Sequence, residues 1–149
     1  MVTRIKGYIM ENKHKHLEFI QGIIERMARN SFALKGWAVT LVAGIFALAS
    51  KDSEKLYFLI AYVPIIIFWG LDSFYLMKER LFRSLYDRIR LMDEESIDFS
   101  MKTTNEERNM GKNKWFNCLI SKTEAYFYLP LALIVSAIIF LPDLLICLL

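Results

Sequence analysis

Residues that carry chemistry are scarce in this chain. Its 149 residues include two cysteines and two histidines. Cys118 and Cys147 have no disulfide or zinc spacing and are expected on opposite sides of a membrane. His14 and His16 are two residues apart, so on a helix they point about 200° from each other and share no metal easily. Solvated surface positions suit both. The chain has no GxxxxGK[ST] phosphate loop and no GxSxG elbow. It also shows no paired intramembrane carboxylates of the kind a proton relay needs. These absences argue against an enzyme and against any cofactor or resident metal. The first thirty residues are charged throughout and lack the short apolar core of a secretory signal.

Charge is missing as well from three long stretches. Ser31–Ser50 contains only Lys35, Leu56–Met77 only Asp72, and Ala125–Leu149 only Asp143. Each run approaches the ~20 residues that a helix needs to cross a hydrocarbon core of about 30 Å. Overall, 55% of the chain is hydrophobic, above the ~45–50% of soluble domains. The expected fold is all-α, an integral membrane protein with three transmembrane helices and amphipathic cytoplasmic helices, assembled as a homo-oligomeric bundle. Four regions follow: a cytoplasmic amphipathic helix over 1–30, a transmembrane hairpin over 31–77, a cytoplasmic helical region over 78–124, and a third transmembrane helix over 125–149.

Lysine and arginine set the orientation. Residues 1–30 hold six and residues 78–124 hold ten, whereas the loop Lys51–Lys55 holds two, offset by Asp52 and Glu54. The positive-inside rule puts the N-terminus and the 78–124 region in the cytoplasm and the short loop outside. Lys35 lies 18 residues before Ser53 and Asp72 lies 19 after it, so both reach a similar depth near the cytoplasmic face. An ion pair within the hairpin or between subunits suits them. Otherwise Lys35 snorkels to the headgroups and Asp72 sits at a wet boundary. Trp37 and Trp69, each 16 residues from Ser53, fall where an inner aromatic belt belongs.

The spans differ in texture. Ten of the twenty residues Ser31–Ser50 are small, against three in Leu56–Met77. Gly36, Thr40 and Gly44 repeat every four residues and form one smooth stripe, suited to oligomer packing or pore lining. Packing of the chain's own three helices also uses small residues. Pro64 is expected to kink the second helix. Met10, Leu17, Ile20, Ile24 and Met27 make an apolar stripe before the first span, for a membrane surface or for copies of the same helix. Phe82, Leu85, Ile89 and Met92 do the same after the second, so that helix should continue unbroken into the cytoplasm. Thr104 with Glu107 reads as a capping box opening a further short helix. Lys78, Arg80, Arg83, Arg88 and Arg90 are candidate contacts for an anionic ligand. Contact with anionic lipid, at about 1 kcal/mol each, is the stronger reading of them on sequence alone.

The stretch NSFALKGWAVTLVAGIFALASKDSEKLYFLIAYVPIIIFWGLDSFYLMKERLFRSLYDRIR (residues 30–90), with IDFSM (97–101) and WFNCLISKT (115–123), resembles a widespread group of small bacterial membrane proteins. The layout of hairpin plus cytoplasmic helix also resembles the membrane effectors of antiphage systems encoded beside a nucleotidyltransferase. In the Hailong type, a small channel-forming protein is held shut by that enzyme's oligonucleotide product. The resemblance implies a multi-pass protein of the bacterial inner membrane that depolarises it in antiviral defence. Its partners would be copies of itself (a tetramer, for example), membrane lipid, and a nucleotidyltransferase with its nucleotide or oligonucleotide product. The competing expectation is a non-conducting membrane anchor that recruits a cytoplasmic protein.

Overall fold

A computed structural model describes residues 2–49 and 58–148, with side chains for 10–49 and 58–140. The loop Lys51–Lys55, Ser53, and the side chains of Asp143 and Cys147 lie outside the described residues. Every regular element among the described residues is helical: α1 (Val2–Ala49), α2 (Tyr62–Leu91), α3 (Asn105–Asn109), α4 (Trp115–Leu119) and α5 (Lys122–Leu148), with single 3-10 turns at Glu94–Ser96 and Gly111–Asn113. Two stretches, Met10–Ala49 within α1 and Lys122–Phe140 within α5, are long and apolar enough to cross a membrane.

The first 63 residues contain no proline, so nothing interrupts the hydrogen-bond ladder between the expected cytoplasmic helix and the first apolar run. They form one helix. At about 1.5 Å per residue, α1 is about 70 Å long, twice the thickness of a hydrocarbon core. Its N-terminal half therefore packs along the second half of α2. Ile20 and Ile24 meet Leu85, Ile89 and Ile97, with Leu17, Phe82 and Met92 around them. The middle of the apolar stripe, Leu17, Ile20 and Ile24, is thus covered by the chain's own α2, while Met10 stays exposed.

In the apolar half, Ala38 and Val42 of α1 join Ala61, Ile65, Tyr128, Val135 and Ile139 in a second core. Helix α5 runs antiparallel to α2: Glu124 lies at the level of Asp72, and Ser136 hydrogen-bonds Tyr62. Around this core, Phe32, Trp37, Leu48, Val63, Ile66, Ile67, Leu133 and Phe140 point outward. An apolar exterior of that extent suits lipid better than water.

Proline acts differently from the expectation. Pro64 does not kink a continuous helix; the chain turns at Ile60–Ala61 and α2 starts at Tyr62. Lacking an N–H, Pro64 cannot serve the Ile60 carbonyl, and the Val63 amide serves it instead at 3.0 Å. Downstream of Pro64, α2 runs unbroken to Leu91, as the continuous apolar face through Phe82, Leu85 and Ile89 requires.

The 92–121 segment folds back over α2. The Thr104 hydroxyl accepts from the Glu107 amide at 3.2 Å, and Glu107 Oε2 accepts from the Thr104 amide at 2.7 Å. That reciprocal box starts α3, which ends after one turn at Asn109. Its other oxygen, Oε1, accepts from Arg88 Nε at 2.8 Å, which ties the segment to α2.

Candidate functional site

Charge converges where α1, α2 and α5 meet. Lys35 extends from α1, and its ammonium donates to Ser31 Oγ at 3.2 Å, one turn back. It also donates to Asp72 Oδ2 of α2 and to Glu124 Oε1 of α5, the latter at 3.2 Å. Both carboxyl side chains are fully buried and the lysine side chain is 16% exposed. The Tyr128 hydroxyl donates to Asp72 Oδ2 at 3.1 Å. It lies four residues after Glu124, so the two project from one face of α5.

Aromatic rings close the cluster. Trp69 stacks on Tyr128 with centroids 5.7 Å apart and planes 9° apart, and Phe127 meets Tyr128 edge-on at 4.9 Å. Lys35 Nζ is 5.8 Å from the Phe127 ring and 5.9 Å from the Tyr128 ring. Trp69, one turn before Asp72, gives its indole N–H to the Leu119 carbonyl at 2.9 Å, which fixes the entry to α5. It therefore serves as part of this wall, whereas Trp37 is exposed.

The arrangement corrects one expectation outright. Paired carboxylates do exist: Asp72 and Glu124 share the Lys35 ammonium. Their partnership is invisible at a separation of 52 residues, and Glu124 reads as the last charge of a polar segment. One sequence signal was available, a glutamate one residue before a long apolar run. With one ammonium facing two carboxylates, full ionisation leaves a negative charge in a site closed to water, at a cost of several kcal/mol. Asp72 Oδ1 and Glu124 Oε2 also lack partners. The cluster ties three helices together through Lys35, Asp72, Glu124 and Tyr128.

The remaining candidates are placed as follows. Gly36, Thr40 and Gly44 lie on the face of α1 opposite the one that carries Leu34, Ala38 and Val42, and they are solvent-exposed. A Cβ added at Gly36 or Gly44 would meet nothing within 4 Å. Of the basic residues, Arg83 pairs with Glu79 at 2.8 Å, Arg88 with Glu107, and Arg90 with Asp87 at 3.7 Å. Arg80 donates to the Lys112 carbonyl at 3.1 Å, and Lys78 lies over the Phe74 ring at 5.3 Å. At about 100° per residue the five spread around α2 and do not converge on one point.

His14 is exposed, but His16 is buried against Phe99, edge to face at 5.6 Å, with its Nε2 unpartnered. The expected surface position fails for His16 because Phe99 adopts φ 53°, which folds the loop onto this face of α1. Cys118 is buried, and burial raises its thiol above the usual range. No protein-family model, curated protein or solved structure matches this chain.

Proposed function

We propose that the chain is a multi-pass protein of the bacterial inner membrane, its N-terminus cytoplasmic, that assembles with copies of itself into an ion-conducting bundle. One observation carries this reading. The Gly36–Thr40–Gly44 stripe is left uncovered, while the chain's own packing uses Leu34, Ala38 and Val42 on the other face. Intramolecular packing therefore does not account for this stripe. In lipid, such a stripe allows close approach of a second backbone. Thr40 already donates to the Gly36 carbonyl at 2.9 Å, so the face presents no unmet donor to hydrocarbon.

In this reading the spans are 31–50, 56–77 and 125–149. The Lys35–Asp72–Glu124 cluster sits at their inner end, where the long cytoplasmic rod of α1 and α2 begins. A signal acting on the rod is transmitted to the cluster by two continuous helices. The resemblance to antiphage effectors makes depolarisation the cellular outcome, and a nucleotidyltransferase product the candidate signal.

Gly44→Leu is expected to shift the purified protein from oligomer to monomer in native mass spectrometry and to abolish ion flux in liposomes. An unchanged oligomer refutes the interface. Wild-type protein that is oligomeric yet passes no ions supports the anchor reading instead. Topology is tested separately in a Cys147→Ser background with cysteines at Ser53, Arg83 and Leu149. Labelling from outside is expected at Ser53 and Leu149 and not at Arg83. Cys118 adds little background, being buried and held as the thiol. A cytoplasmic Leu149 overturns the third span.

A further inference from the structure

Where the 101–115 segment crosses α2 it leaves a groove of about 680 Å³. Four of the residues that line it are cations, Lys78, Lys102, Arg108 and Lys114, and none is acidic. Elsewhere on α2 the arginines at 83, 88 and 90 each have a carboxylate within 4.0 Å. Among the described residues no carboxylate pairs with any of the four groove cations: Arg108 spends one N–H on Thr103 Oγ1 at 3.0 Å, and Lys78 rests on Phe74. Unpaired positive charge is thus gathered in one concavity, which favours an anion there.

A second, independent feature lies in the same groove. Asn113, which lines it, is 4% exposed. Its Nδ2 donates to Ser84 Oγ at 3.1 Å and to the Glu107 carbonyl at 2.7 Å, and its Oδ1 has no partner. An acceptor left open in a residue that shares the lining with four cations suits a ligand with both an anionic group and a donor. Trp115, also in the lining, donates its indole N–H to the Gly70 carbonyl at 3.1 Å. That bond ties the groove to the apolar half of α2, and Lys78 directly follows the last residue of the apolar run. The groove therefore opens at headgroup depth in the membrane placement proposed above.

We propose that this groove binds an organic phosphate that carries a hydroxyl, its phosphate held by Lys78, Lys102, Arg108 and Lys114 and its hydroxyl donated to Asn113 Oδ1. A phosphatidylglycerol headgroup and a soluble glycerol phosphate share that chemistry. The volume suits a ligand of that size or larger, within the range of about 300–1,000 Å³ typical of small-molecule sites. The site's existence does not depend on ion conduction, so a failed flux assay leaves it intact.

The test uses the full chain in zwitterionic lipid nanodiscs. Retention of phosphatidylglycerol is read by native mass spectrometry, and glycerol phosphate binding by calorimetry. Lys102 and Lys114 are exposed, so the double variant Lys102→Ala, Lys114→Ala is expected to fold; it should lose about tenfold or more in affinity. The charge-matched control Arg83→Ala, Arg90→Ala should change it by about twofold at most. Retention of the lipid without calorimetric binding assigns the site to a headgroup, and calorimetric binding without retention assigns it to a soluble phosphate. Equal losses in both double variants, or no binding of either probe by wild type, overturn the proposal.

Discussion

Replacing Lys35 by methionine is expected to destabilise the three-helix junction by about 3–5 kcal/mol, the cost of leaving buried charge uncompensated. Methionine keeps the length and apolar stem of lysine, so the loss reports the ammonium and not a cavity. Without it, Asp72 and Glu124 face each other in a closed site, both fully buried. A thermal melt of the purified protein in detergent measures the change. Adding Glu124→Gln should recover a substantial part, because it removes one of the two carboxylates. A Lys35→Met variant that melts like wild type would show that the cluster is wet and contributes nothing. In the channel reading, the same variant leaks ions when expressed alone; in the anchor reading only its abundance falls.

The charge swap Lys35→Asp with Asp72→Lys should recover less than the Glu124→Gln combination. Tyr128 donates to Asp72 Oδ2 at 3.1 Å, and a lysine there offers no acceptor for it. The new aspartate at position 35 would also project towards Glu124. A two-residue view of the ion pair predicts recovery in the swap, and the three-residue cluster predicts little, so the experiment separates them.

Glu107→Ala is the second large effect, expected at about 2–4 kcal/mol. The side chain is 4% exposed and uses both oxygens, one on the Thr104 amide at 2.7 Å and one on Arg88 Nε at 2.8 Å. Losing the cap contributes about 1 kcal/mol and the charged hydrogen bond about 1.5–3 kcal/mol. Thr104→Ala, which removes only half of the box, should cost about 1 kcal/mol. Hydrogen exchange resolves the difference locally: in Glu107→Ala, amides of 101–115 should exchange faster while those of α5 do not. Uniformly faster exchange in all helices would mean that Glu107 supports the whole fold and not this segment alone.

The two residues illustrate what was legible. Thr104 and Glu107 are three apart, and a capping box is a local device whose partners stand within one turn. The continuity of α2 through Leu85 and Ile89 was legible for the same reason, since one apolar face repeated at helical spacing. The similar depth of Lys35 and Asp72 needed only a count from the short loop. Glu124 was not assigned, because its place just before the apolar run is its one local mark and its partners lie 52 and 89 residues away. His16 was misplaced because its burial depends on the left-handed turn at Phe99, 83 residues away.

By itself, the sequence determined the helices, their apolar faces, the capping box and the charge-poor stretches. All of these follow from a 3.6-residue period and from contacts within one or two turns. Tertiary structure decided which faces meet. It covered Leu17, Ile20 and Ile24 with α2 and left Gly36, Thr40 and Gly44 outside. It also brought Glu124 to Lys35 and gathered four cations into one groove. Helix periodicity says that a face exists, and the partner it finds depends on the combined packing of distant segments, which no local pattern encodes.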